Sequence, residues 1–135
     1  MKWRKLVSRG LILTPFILLG MGAQAESQPS ADFEKCMENV DLSAMKNSQW
    51  GVCAAAEVKR QDVILNVEYK KLKNSLTPEL KEALTKAQKA WLKYREDWCR
   101  FEEAGPSAPG GDVNYDFCII ELTNKHIDAL KGLQP

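Results

Sequence analysis

The sequence predicts an all-α fold: an antiparallel helical hairpin with a C-terminal helix and a short N-terminal helix, stapled by two disulfides. Three observations carry this. Apolar residues recur at steps of three and four along most of the chain, and no segment alternates as a strand would. Thr77-Pro78-Glu79 restarts one helical pattern directly after another. The cysteines number four, an even count.

The first 25 residues are expected to be a secretory signal peptide rather than fold. Lys2, Arg4, Lys5 and Arg9 form a basic start, Leu11 to Leu19 is a short apolar run, and Ala23-Gln24-Ala25 is a small-x-small cleavage site. The run is shorter than the roughly 20 residues a membrane span needs. Removing this segment takes four of the 19 Lys+Arg and none of the 18 Asp+Glu, leaving a net charge of −3. No basic surface for nucleic acid remains. The expected location is periplasmic or secreted, with no stable membrane anchor after cleavage.

Residues 26–30 read as a polar tail, and 31–135 as the helical domain. Ser30 caps a first helix over Ala31 to Val40, with Phe33, Cys36, Met37 and Val40 on one face. A long helix follows from about Gln49 to Leu76, capped by Asn47 or Ser48. Its inward stripe is Ala54, Val58, Leu65, Tyr69, Leu72 and Leu76, interrupted by Asp62. Thr77 caps the next helix, Pro78 to Phe101. Glycine and proline between Gly105 and Gly111 make a loop. Asp112 or Asn114 caps a last helix to Lys131, facing inward with Ile119, Ile120, Thr123, Ile127 and Leu130.

In the third helix Leu80, Leu84, Ala87, Trp91, Tyr94, Trp98 and Phe101 advance by alternating fours and threes. Such a seam reads as buried core. The stripe beside it is Gln88, Leu92, Arg95 and Cys99. A hairpin turning at Thr77–Pro78 sets Asp62 level with Tyr94 and Arg95, and Glu57 level with Cys99. Asp62 and Arg95 are thus expected to form a buried ion pair that fixes register, since an unpaired buried acid would take up a proton.

For the cysteines, three pairings are open, and the spacings favour Cys36–Cys53 and Cys99–Cys118. Each closes a loop worth roughly 3 kcal/mol. A zinc site is disfavoured because no two cysteines stand two to four residues apart. One histidine, His126, and no Ser-His-acid order or phosphate-cradling loop leave no expected catalytic, metal or cofactor residues.

Cys36-x₁₆-Cys53, then "DVILNVEYKKL" from Asp62, then "AQKAWLKYREDWC" from Ala87, resemble the LprI-type lysozyme inhibitor family. The residues carrying the resemblance are Asp62, Leu65, Asn66, Tyr69, Gln88, Trp91, Arg95, Cys99, Cys118 and Thr123. Where the family often has Gly-Gly-Ser before its last cysteine, this chain has Gly110-Gly111-Asp112. It also lacks the founding inhibitor's lipid-anchor cysteine. The resemblance implies an exported helical domain that binds a protein partner, a lysozyme-class muramidase, without catalysis. Such enzymes work through two carboxylates in an open cleft. The expected projection into that cleft is the bridged connection Glu102 to Phe117, with Gly110, Gly111, Asp112, Asn114 and Tyr115 as contacts. An envelope stress or immunity-type accessory role with another protein partner stays open on the same scaffold.

Overall fold

Ser30 opens the first helix as its position suggests: its hydroxyl accepts from the Phe33 N–H at 3.1 Å, satisfying one of the orphan donors of a helix start. In the computed structural model, which describes residues 29–41, 47–105 and 112–135, the helices are α1 (Ala31–Glu38), α2 (Asn47–Ser75), α3 (Pro78–Ala104) and α4 (Asp112–Gly132). No strand occurs among the described residues. The expected signal peptide lies outside them, as do the cap side chains of Asn47 and Ser48 and the loop glycines Gly110 and Gly111. At α3, Thr77 accepts from the Leu80 N–H, Pro78 takes the first turn, and Glu79 faces the helix dipole.

Side-chain pairs fix the helix order. Tyr69 meets Thr85 near the turn and Asp62 meets Arg95 farther along, so α2 and α3 run antiparallel. Cys118 bonds Cys99 and His126 meets Gln88, so α4 runs antiparallel to α3. It lies parallel to α2: Ala54 clusters with Ile120 at one end, and Leu65 and Leu72 with Ile127 and Leu130 at the other. The broadest packing is between α2 and α4, while α2 touches α3 sparsely. The core therefore sits mainly between α2 and α4, with α3 closing its side. Each fully buried Leu or Ile there stabilises by about 1.5–3 kcal/mol. Cys36–Cys53 ties α1 to the start of α2, and Cys99–Cys118 ties the end of α3 to the start of α4.

Two of the expected inward faces are rotated. On α3 only part of the seam is core: Leu84 and Trp91 pack against the cluster of Leu65, Leu72, Ile127 and Leu130, whereas Leu80, Ala87, Tyr94, Trp98 and Phe101 are exposed, and Gln88 and Cys99 are the buried residues. The helix turns its neighbouring stripe inward because Cys99 must reach Cys118 and Arg95 must reach Thr123. On α2 the buried line passes through Ala54, Glu57, Gln61, Leu65, Glu68 and Leu72, whereas Val58 and Tyr69 are half-buried. Three polar residues enter that line because each finds a hydrogen-bond partner. Gln61 Nε2 donates to Glu57 Oε1 at 2.9 Å, and Glu68 accepts from Lys71 at 2.8 Å and Gln134 at 2.9 Å.

Candidate functional site

Arg95 lies midway along α3 with its side chain 12 % exposed. Its Nη1 donates to Asp62 Oδ1 of α2 and to Thr123 Oγ1 of α4, each at 2.8 Å. The expected ion pair forms, but its burial is unequal. Asp62 keeps 42 % of its side chain exposed and its hydration with it, while the guanidinium lies over the Trp91 ring, 5.2 Å from the centroid. One charge thus joins three helices. One nitrogen, Nη1, serves both acceptors, and arginine suits the position because its flat guanidinium also stacks on an aromatic face.

Trp91 stacks in turn on His126, ring centroids 3.9 Å apart, and His126 Nε2 meets Gln88 Oε1 at 2.8 Å. Burial, and then the charge of Arg95, lowers the His126 pKa. A neutral imidazole donating from Nε2 to the Gln88 carbonyl fits this setting. Above the brace, Asp62, Asn66 and Tyr69 of α2 and Thr85, Gln88 and Arg95 of α3 line a groove of about 270 Å³. Among the described residues all four cysteines are in disulfides, and no group of His, Cys, Asp and Glu is arranged to hold a metal. The partners of His126 are the Gln88 amide and the Trp91 ring, neither a carboxylate nor a nucleophile. The brace holds helices in register; it contains no nucleophile–base pair.

At the end of α3 the connection to α4 starts from a fixed base. Cys99 and Cys118 hold the two helices with Cα atoms 5.5 Å apart. Tyr115 Oη donates to Glu96 Oε2 at 2.7 Å, Arg100 pairs with Glu96 at 2.7 Å, and the Arg100 guanidinium lies over the Tyr115 ring. Burial, reinforced by the bond to the Glu96 carboxylate, pushes the Tyr115 pKa up to about 12. Of the expected contact residues, Asp112 begins α4, Asn114 is half-buried in its first turn, and Tyr115 braces the connection through its hydroxyl. Gly110 and Gly111 lie outside the described residues.

A family model described as lysozyme inhibitor LprI matches residues 36–130, from the first cysteine to the last turn of α4. The chain belongs to the LprI family. An uncharacterized protein of Rhizobium meliloti (strain 1021) is 31 % identical over 134 residues, covering 87 % of this chain and 89 % of the relative. No solved structure matches. The residues that carried the LprI resemblance converge in space: Asp62, Gln88, Trp91, Arg95 and Thr123 form the brace, and Asn66 and Tyr69 line the groove above it.

A second polar centre of this LprI domain escaped sequence reasoning. Glu57, 2 % exposed, accepts from Ser30 Oγ at 2.6 Å, Arg60 Nε at 2.8 Å and Gln61 Nε2 at 2.9 Å. Burial pushes its carboxyl up, but these hydrogen bonds outweigh it and hold the pKa at about 2. The available signal was weak: the hairpin register set Glu57 level with Cys99, and Ser30 was assigned only to capping.

Proposed function

We propose that this LprI-family protein is exported to the periplasm and inhibits a lysozyme-class muramidase by occluding its cleft. The connection between α3 and α4 is the inserting element. The observation that carries this reading is the base of that connection, where the Cys99–Cys118 bridge and the Tyr115–Glu96 bond lock both helix ends. Bridging the two ends of a connection reduces the ordering cost on binding, so more of the contact energy appears as affinity. Occlusion requires shape and hydrogen bonding but no chemistry of the inhibitor's own, which suits a fold whose histidine and cysteines are committed to structure. The partner is a protein, met outside the cytoplasm, and no membrane anchor is invoked. Among the described residues no helix is long and apolar enough to cross a membrane.

The test is a titration of several purified lysozymes with this protein, following hydrolysis of peptidoglycan. Loss of activity that saturates near equimolar protein supports the reading. Full activity at micromolar excess against every enzyme in the panel removes it.

A further inference from the structure

We infer that the exposed aromatic face of α3 docks a second copy of this chain, as an antiparallel helix pair with its two-fold axis beside Ala90. Leu80, Tyr94, Trp98 and Phe101 are 52, 50, 42 and 62 % exposed, and Ala83, Ala87 and Ala90 are exposed along the same strip. The rings form one surface: Tyr94 stacks on Trp98 at 6.1 Å between centroids, and Trp98 lies 5.7 Å from Phe101. The Trp98 indole N–H donates to Glu102 at 2.6 Å, which leaves the ring faces apolar. Beside them runs a shallow groove of about 560 Å³, lined by Ala90, Tyr94, Trp98 and Phe101 with Lys93 and Asp97 at its rim.

The occupant follows from the order of side-chain sizes. The strip carries alanines in its first half and large rings in its second. Turned end for end, a second α3 sets its Leu80 against Phe101, its Ala83 against Trp98 and its Ala87 against Tyr94. Every ring then meets a small or flexible residue, and each contact occurs twice, as an isologous interface requires. Close helix pairs depend on this alternation of large and small across the seam. A parallel pair would crowd ring on ring at one end and leave alanine facing alanine at the other. The charges flanking the seam are mixed: the same rotation sets Lys86 of each copy between Lys93 and Asp97 of the other, which are themselves paired, so the choice of occupant rests on the order of side-chain sizes.

The strip is about 33 Å long from Leu80 to Phe101. A contact through one helix face is small for a specific interface, so a reversible dimer is expected rather than a permanent one. The two Cys99–Cys118 ends fall at opposite ends of the pair, each beside the other copy's Leu80.

Sedimentation velocity of the purified protein over roughly 1–500 µM is the test. The wild type should pass from monomer to dimer. Ala87→Arg, at an exposed position that leaves the core untouched, should weaken the dimer at least about tenfold. With the native bridges intact, Ala90→Cys should give a disulfide-linked dimer on mild oxidation, whereas Lys89→Cys, on another face of α3, should not. A wild type that stays monomeric throughout overturns the inference. So does a dimer that neither responds to Ala87→Arg nor is captured through Ala90→Cys.

Discussion

Thr123 Oγ1 accepts a hydrogen bond from Arg95 Nη1 at 2.8 Å in a part of the core where Thr123 is 1 % exposed. This contact, more than the ion pair on the same nitrogen, decides the cost of disturbing the brace. Thr123→Val keeps the shape but removes the acceptor from a buried cation, which should cost about 1–3 kcal/mol. Asp62→Ala removes a half-exposed partner whose place water can take, and should cost about 1 kcal/mol or less. Urea denaturation of both variants checks the order; a larger loss for Asp62→Ala would show that the ion pair dominates.

The two tryptophans of α3 should behave oppositely. Trp91 stacks on His126 and carries the Arg95 guanidinium over its ring, and Trp91→Ala should lose at least about 2 kcal/mol. Trp98 and Phe101 stand at the surface, so Trp98→Ala and Phe101→Ala should each change monomer stability by less than about 1 kcal/mol. Thermal melts at low protein concentration separate the two classes.

The helices and both bridges were legible because they depend on local signals: caps at Ser30 and Thr77, proline at Pro78, and cysteines spaced to staple neighbouring helix ends. The partnership of Asp62 and Arg95 followed from hairpin register, which set Asp62 level with Tyr94 and Arg95, together with the need of a buried acid for a cation. The facing of each helix was less legible. The unbroken apolar seam on α3 has the period of a core stripe, yet periodicity does not say which of two adjacent stripes turns inward. Cys99 and Arg95 settle that through partners on α4, residues remote in sequence. The same limit hid Glu57 and Glu68, whose burial depends on donors from Ser30 and Gln134.

Acid should destabilise the fold in two stages. The folded pKa of His126 is lowered from its ordinary 6.5, so its neutral form contributes stability that declines as pH falls through 6.5 toward the folded value. Glu57 is held at about 2 against an ordinary 4.5, so its contribution is present above 4.5 and is lost on the way down to 2. That shift corresponds to on the order of 3 kcal/mol. Melting temperatures from roughly pH 7 to pH 3 should fall in both ranges. His126→Gln should remove the upper decline and Glu57→Gln the lower; a wild-type profile flat from pH 7 to 5 contradicts the first assignment.

Each disulfide closes a loop of similar length, with sequence separations of 17 and 19. Replacing either pair with alanine should therefore cost a similar amount, roughly 3 kcal/mol. Function should separate them. Loss of Cys99–Cys118 loosens the base of the α3–α4 connection and should weaken inhibition at temperatures where the fold persists. Loss of Cys36–Cys53, which anchors α1, should leave inhibition near the wild-type level. Inhibition and circular dichroism measured on the same samples distinguish the two effects.

The most direct measurement replaces residues 106–111 with a glycine–serine run of equal length and compares inhibition of a sensitive lysozyme by this variant and the wild type. The melting temperature of both proteins is measured on the same samples, so that a loss of fold is told apart from a loss of contact. Inhibition should fall by at least about tenfold, the loss of one well-placed contact or more. Equal inhibition by the two proteins would contradict occlusion by the α3–α4 connection and move the binding surface elsewhere on the domain.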